Sequence, residues 1–193
     1  MRAAFTSVGA FNFADTSADA AVLTSADGLR TVWVYDTGGK DGVGLVEVYD
    51  TQPGGAAQLV NLSARNFVGT GDGVLIAGFV ISGNVPKRLL IRGVGPRLAS
   101  GFGVTGALTD PKVDLFMSEE GRSTRFAAND NWAETGATPV RAAFTTAGAF
   151  DLPDVASRDA AMVVTAPAGA FTAQVSGVGT ATGEALIEIY ELP

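Results

Sequence analysis

The sequence predicts an all-β protein: an antiparallel sandwich of the jelly-roll kind with an extra half-module at its N-terminus. Three observations lead there. Short alternating or apolar runs recur along the 193 residues, each bounded by glycine, proline, asparagine or aspartate, which is how strands and their turns read. Helical patterning is confined to a turn or two near Asn131–Phe144 and around Pro96–Ser100. The third observation is an internal repeat.

Arg2-Ala3-Ala4-Phe5-Thr6 returns as Arg141-Ala142-Ala143-Phe144-Thr145, and Gly9-Ala10-Phe11 returns as Gly148-Ala149-Phe150. After one inserted residue, Ser17-Ala18-Asp19-Ala20-Ala21 parallels Ser157-Arg158-Asp159-Ala160-Ala161; the match closes with Leu45-Val46-Glu47-Val48-Tyr49 against Leu186-Ile187-Glu188-Ile189-Tyr190. Chance does not keep so many matches in one order, so 1–50 and 141–191 are copies of one unit, X. A different unit, Y, fills 51–140 and occurs once. The chain reads X-Y-X, and one X lacks a Y of its own.

In chain order, the predicted strands of the first X are Ala20–Thr24, Arg30–Tyr35 and Gly44–Tyr49. Those of Y are Leu59–Ser63, Val74–Ser82, Arg88–Gly93, Val113–Met117 and Thr124–Ala128, and those of the second X are Ala160–Thr165, Phe171–Ser176 and Ala185–Tyr190. Turn residues separate them, including Asp27-Gly28, Thr37-Gly38-Gly39, Pro53-Gly54-Gly55, Asp72-Gly73 and Glu120-Gly121. Alternation assigns the faces. Phe171, Ala173 and Val175 form a core row, with Thr172, Gln174 and Ser176 outside; in the first X, Val32 and Val34 are core, with Thr31, Trp33 and Tyr35 outside. Two large aromatics thus stand where the other copy is polar. Such a face is covered by the same chain, meets another chain, or serves as a platform for stacking sugars.

Composition removes several chemistries. With no histidine and no cysteine, the chain has no Ser-His-Asp or Cys-His nucleophile system, no thiolate or imidazole zinc site and no disulfide. A net charge of −7 with scattered cations argues against nucleic acid as a partner. The longest clean apolar run, Val74–Ile81, is strand-sized and does not span a bilayer, and Met1–Phe5 lacks the apolar stretch of a signal peptide. Carboxylates are the available acids and bases. Asp110, Asp114, Asp130, Glu134 and Asp154 lie in or beside Y, but no spacing sets two of them across a cleft as a glycosidase requires.

The most pointed polar cluster is Asn129-Asp130-Asn131-Trp132. Its side-chain oxygens suit calcium, or they bond local amides and cap a short helix at Trp132–Thr135. Arg92 interrupts the apolar row of Leu90 and Val94, a placement that calls for a carboxylate partner or carbonyls.

Leu59-Val60-Asn61-Leu62-Ser63-Ala64-Arg65, Val68-Gly69-Thr70-Gly71-Asp72, Leu75–Ile81, Leu90-Ile91-Arg92-Gly93-Val94-Gly95-Pro96, Phe102-Gly103-Val104 and Asn129-Asp130-Asn131-Trp132 together resemble a tandem module of large secreted bacterial proteins. The likeness covers nearly all of 58–191, and its second half recurs in 1–50. More distantly, Asp110-Pro111, Leu115-Phe116, Asn129-Asp130 and Phe171–Gly177 are similar to the bacterial pre-peptidase C-terminal domain, a jelly-roll-like sandwich. The resemblance implies a non-catalytic, exported spacer or adhesive domain without catalytic residues, and in some relatives of the distant type a calcium ion among loop acids, matched here by Asn129 and Asp130.

The expected organisation is therefore 51–193 as a complete sandwich and 1–50 as an orphan half whose strand edges need covering. The expected function is extracellular, structural and non-catalytic, with self-association head to tail into a filament or surface layer. The rival is polysaccharide binding through Trp33, Tyr35 and Trp132.

Overall fold

The computed structural model describes residues 1–40, 42–51 and 59–193, so the turn expected at Pro53-Gly54-Gly55 lies outside the described residues. The chain divides into two compact units, Met1–Leu59 and Val60–Pro193.

The second unit is an all-β sandwich of two antiparallel four-stranded sheets. Its strands are β1 Asn61–Val68, β2 Leu75–Ile81, β3 Lys87–Val94, β4 Pro111–Glu119, β5 Arg122–Asn129, β6 Ala160–Ala166, β7 Gly169–Gly177 and β8 Gly183–Leu192. One sheet runs β1-β8-β3-β6 and the other β2-β7-β4-β5. Every strand expected in Y and the second X is present, with ends moved by a few residues; β1 moves most, reaching Val68 through the polar stretch Ala64-Arg65-Asn66 of an exposed edge.

Alternation buries one face of each sheet. On β7, Phe171, Ala173 and Val175 are buried and the intervening residues are not. They meet Val113 and Leu115 of β4 and, from the opposite sheet, Ile91, Ile187 and Ile189. β3 is buried on both faces, from Leu89 to Val94. Its Leu90 and Val94 point away from the sandwich interior into a second core, formed with Leu98, Trp132, Val140 and Phe144. That core exists because two helices cover the outer face of the first sheet. They are α2, Pro96–Phe102, with proline in its first turn, and α3, Ala137–Ala147, stopped by Gly148 in the left-handed region at φ 69°.

The pairing between X and Y fixes what each can do alone. β6 pairs with β3, β7 with β2 and β4, and β8 with β1 and β3. No strand of the second X pairs with another strand of X. The two halves are interleaved, so X contributes strands to both sheets without forming a sheet itself.

The first unit departs from expectation for this reason. Among the described residues of 1–51 there is one helix, α1, Arg2–Val8, and no strand forms at Ala20–Thr24, Arg30–Tyr35 or Gly44–Tyr49. A strand is stabilised by its neighbours' ladder bonds and side chains, and these segments are the counterparts of β6, β7 and β8, whose partners all lie in Y. What persists is local. The helix recurs, and Gly9 stops α1 at φ 73° as Gly148 stops α3. Ala10 N donates to Phe5 O at 3.0 Å, as Ala149 N donates to Phe144 O at 2.9 Å.

Candidate functional site

The residues that most constrain the second unit lie where its two halves meet. Arg92, in the middle of β3, is fully buried among apolar neighbours. Its Nε donates to Glu188 Oε2 at 2.8 Å, and Nη2 lies 2.6 Å from the same oxygen. Nη1 donates to Phe150 O at 2.6 Å, and the guanidinium sits 4.0 Å from the ring centre of Phe150 and 4.9 Å from that of Phe144. The Tyr190 hydroxyl completes the socket by donating to Glu188 Oε1 at 2.7 Å. Burial first, and then the bond to Glu188, hold the Tyr190 phenol well above the ordinary tyrosine range. The arginine comes from Y and everything that holds it comes from the second X.

A second clamp joins the halves at Asp159. Its carboxylate accepts from Gly95 N at 2.8 Å and Arg97 N at 3.1 Å, and Ser157 Oγ donates to its other oxygen. Gly95 is required there, since a Cβ would lie 2.0 Å from Leu108 O. Asp159 also presents its carbonyl to Trp132 N at 2.8 Å. The repeat exposed Ser-x-Asp as a shared motif; the backbone contacts that explain it are tertiary.

Asn129, at the end of β5, makes a third tie. Its Oδ1 accepts from Ala161 N of β6 at 2.8 Å, and its Nδ2 donates to Asn131 O at 3.1 Å. It therefore links the edge strands of the two sheets, and 132–136 are turns where a short helix was expected. Asn131 Nδ2 donates to Glu134 Oε1 at 2.8 Å. Asp130 Oδ1 is buried without a hydrogen-bond partner, and burial, with Asp110 and Glu134 nearby, raises the Asp130 pKa. Among the described residues no group of three or more acidic side chains is placed to hold a metal.

Trp132, expected as a possible sugar-stacking residue, is fully buried; it packs 5.7 Å from Phe144 and donates from Nε1 to Asp154 O at 3.1 Å. The other candidate acids have partners as well. Asp110 pairs with Arg158, Asp114 with Lys112 at 3.1 Å and Arg125 at 3.3 Å, and Asp154 Oδ1 accepts from Ala156 N at 2.9 Å. A cleft of about 300 Å³ is lined by Arg97, Asp154, Arg158 and Asp159; the three last are engaged as above, while Arg97 Nε is buried without a hydrogen-bond partner.

In the first unit, Trp33 is 83% exposed and Tyr35 77%, with Thr31 also exposed. Their row matches Thr172, Gln174 and Ser176, on the outer face of the second sheet. Val32 and Val34, which match the buried Ala173 and Val175, are 65% and 62% exposed. No helix among the described residues is long and apolar enough to cross a membrane. No family model matches the chain, and no curated protein matches it.

Proposed function

We propose that the protein is a non-catalytic, extracellular structural component that associates head to tail, its N-terminal unit supplying a helix and three strands to a sandwich completed by a neighbouring molecule. The carrying observation is the exclusive pairing of β6, β7 and β8 with strands of Y. A copy of that half without such partners leaves Val32, Val34, Val46 and Val48 in water, and burying them provides the driving force for association. Strand addition is the mode of contact. A chain of such contacts that does not close makes a filament or a surface layer. The likeness of 58–191 to tandem secreted modules supports the same reading. Size-exclusion chromatography with light scattering and electron microscopy test it: concentration-dependent assemblies are expected, and a monodisperse monomer at all concentrations refutes it.

The exposure of Trp33 and Tyr35 on one row favours a second reading, polysaccharide binding. That row faces outward even in a completed sandwich. Affinity electrophoresis in polysaccharide gels, with retardation lost on Trp33→Ala, distinguishes it.

A further inference from the structure

The first X keeps more than a strand pattern. Phe144, Phe150, Glu188 and Tyr190 surround Arg92, and the repeat sets Phe5, Phe11, Glu47 and Tyr49 at the same places. Tyr49 already donates to Glu47 Oε1, at 3.1 Å, as Tyr190 does to Glu188, while among the described residues Glu47 forms no ion pair. Asp19 likewise matches the Asp159 clamp and accepts from Ser17 Oγ, as Asp159 does from Ser157. Phe5 and Phe11 pack against Phe13, with ring centres 5.4 and 5.7 Å apart; their counterparts pack on Trp132 and Phe102 of Y. The copies differ where Arg158 is replaced by Ala18, which removes one surface ion pair but neither buried contact.

Resting on the reading of 1–50 as a half-module, we propose that Phe5, Phe11, Glu47 and Tyr49 are the parts of a second arginine socket. Its occupant is the strand arginine of a second Y-type half, a protein segment built like residues 60–129. The repeat identifies that partner: in the second X the same four residues close on an arginine of Y, and the Y strands of 60–129 are already paired with 141–193. A partner that satisfies 1–50 must bring its own Y, with an arginine at the place of Arg92 and a Gly-x-x turn whose amides reach Asp19.

The test extends the full chain at its N-terminus with a second copy of 60–140, joined to Arg2 as Pro139-Val140 is joined to Arg141. Hydrogen exchange by mass spectrometry reads 20–24, 30–35 and 44–49. At concentrations where light scattering finds the unextended chain monomeric, these segments are expected to exchange within seconds, and in the extended chain to slow by a hundredfold or more, with 160–192 as the internal folded reference. Arg→Ala at the Arg92 position of the added copy is expected to abolish the slowing. Because that change can unfold the added half, Glu47→Gln is the second variant; it lies on an exposed residue and should weaken protection by roughly tenfold or more, whereas Asp27→Asn should not. Unchanged fast exchange in the extended chain, or protection indifferent to Glu47→Gln, overturns the proposal. Assembly of the unextended chain is read separately by light scattering, so head-to-tail association and the arginine socket stand or fall independently.

Discussion

Replacing Glu188 by glutamine keeps the shape of the socket and removes its only carboxylate. The Arg92 side chain has no exposed surface and that of Glu188 is 6% exposed, so the variant leaves a cation inside a dry core. Breaking a buried pair from one side costs about 3–5 kcal/mol. Here the Phe150 carbonyl and two aromatic faces still hold the guanidinium, which places the expected loss near the lower end, about 3 kcal/mol, or roughly 10 °C in Tm for a unit of this size. Removing both charges with Arg92→Met and Glu188→Leu substitutes apolar groups of similar volume and should recover most of the loss. Urea unfolding followed by tryptophan fluorescence is the assay. The sequence has two tryptophans; Trp132 is fully buried and Trp33 is 83% exposed, so the signal change reports the sandwich. A Glu188→Gln loss below about 1 kcal/mol, or a double variant as unstable as the single one, would refute the claim that an uncompensated charge governs this site.

Two further outcomes follow from the same joint. Asn129→Ala strands the Ala161 amide and the Asn131 carbonyl and should cost about 2 kcal/mol, equally in calcium and in excess EDTA; a wild-type midpoint that itself falls in EDTA would instead support calcium at Asn129, Asp130 and Asn131. The raised Tyr190 pKa means that the folded state holds its phenolic proton more tightly than the unfolded chain. Its contribution is therefore complete below the unfolded tyrosine value of about 10 and is lost as pH rises beyond it. Thermal melts between pH 8 and 11 should fall less steeply for Tyr190→Phe than for wild type, and parallel curves would contradict this.

The sandwich was legible because alternation and turn residues are local signals. Phe171, Ala173 and Val175 announced a buried face, and the structure buries it. Arg92 announced that it needed a partner, but not which carboxylate, because Glu188 lies 96 residues away. Trp132 was misread because its neighbours Asn129 to Asn131 look like a surface loop; the packing of Phe144 and the carbonyl of Asp154 that bury it arrive from distant sequence. The strands expected in 1–50 show the limit most clearly. Val32 and Val34 alternate as well as Ala173 and Val175 do, yet a strand pattern states a capacity to pair, and pairing needs a second strand. The helix and its glycine stop, which need only local bonds, recur in both copies.

β1 and β8 are neighbours, and their register sets Asn61 opposite Tyr190 and Val68 opposite Gly183. The chain thus enters and leaves the sandwich at the same end, on adjacent antiparallel strands. Tension applied across those two ends would not shear the ladder as a whole; it would open the rungs one after another, starting at the bond from Glu191 N to Val60 O, as a zipper opens. Such a joint yields at low force, because each step breaks only one or two hydrogen bonds. A polymer of these modules would lengthen under load by peeling its modules open, and it would behave as an extensible mesh in place of a stiff cable.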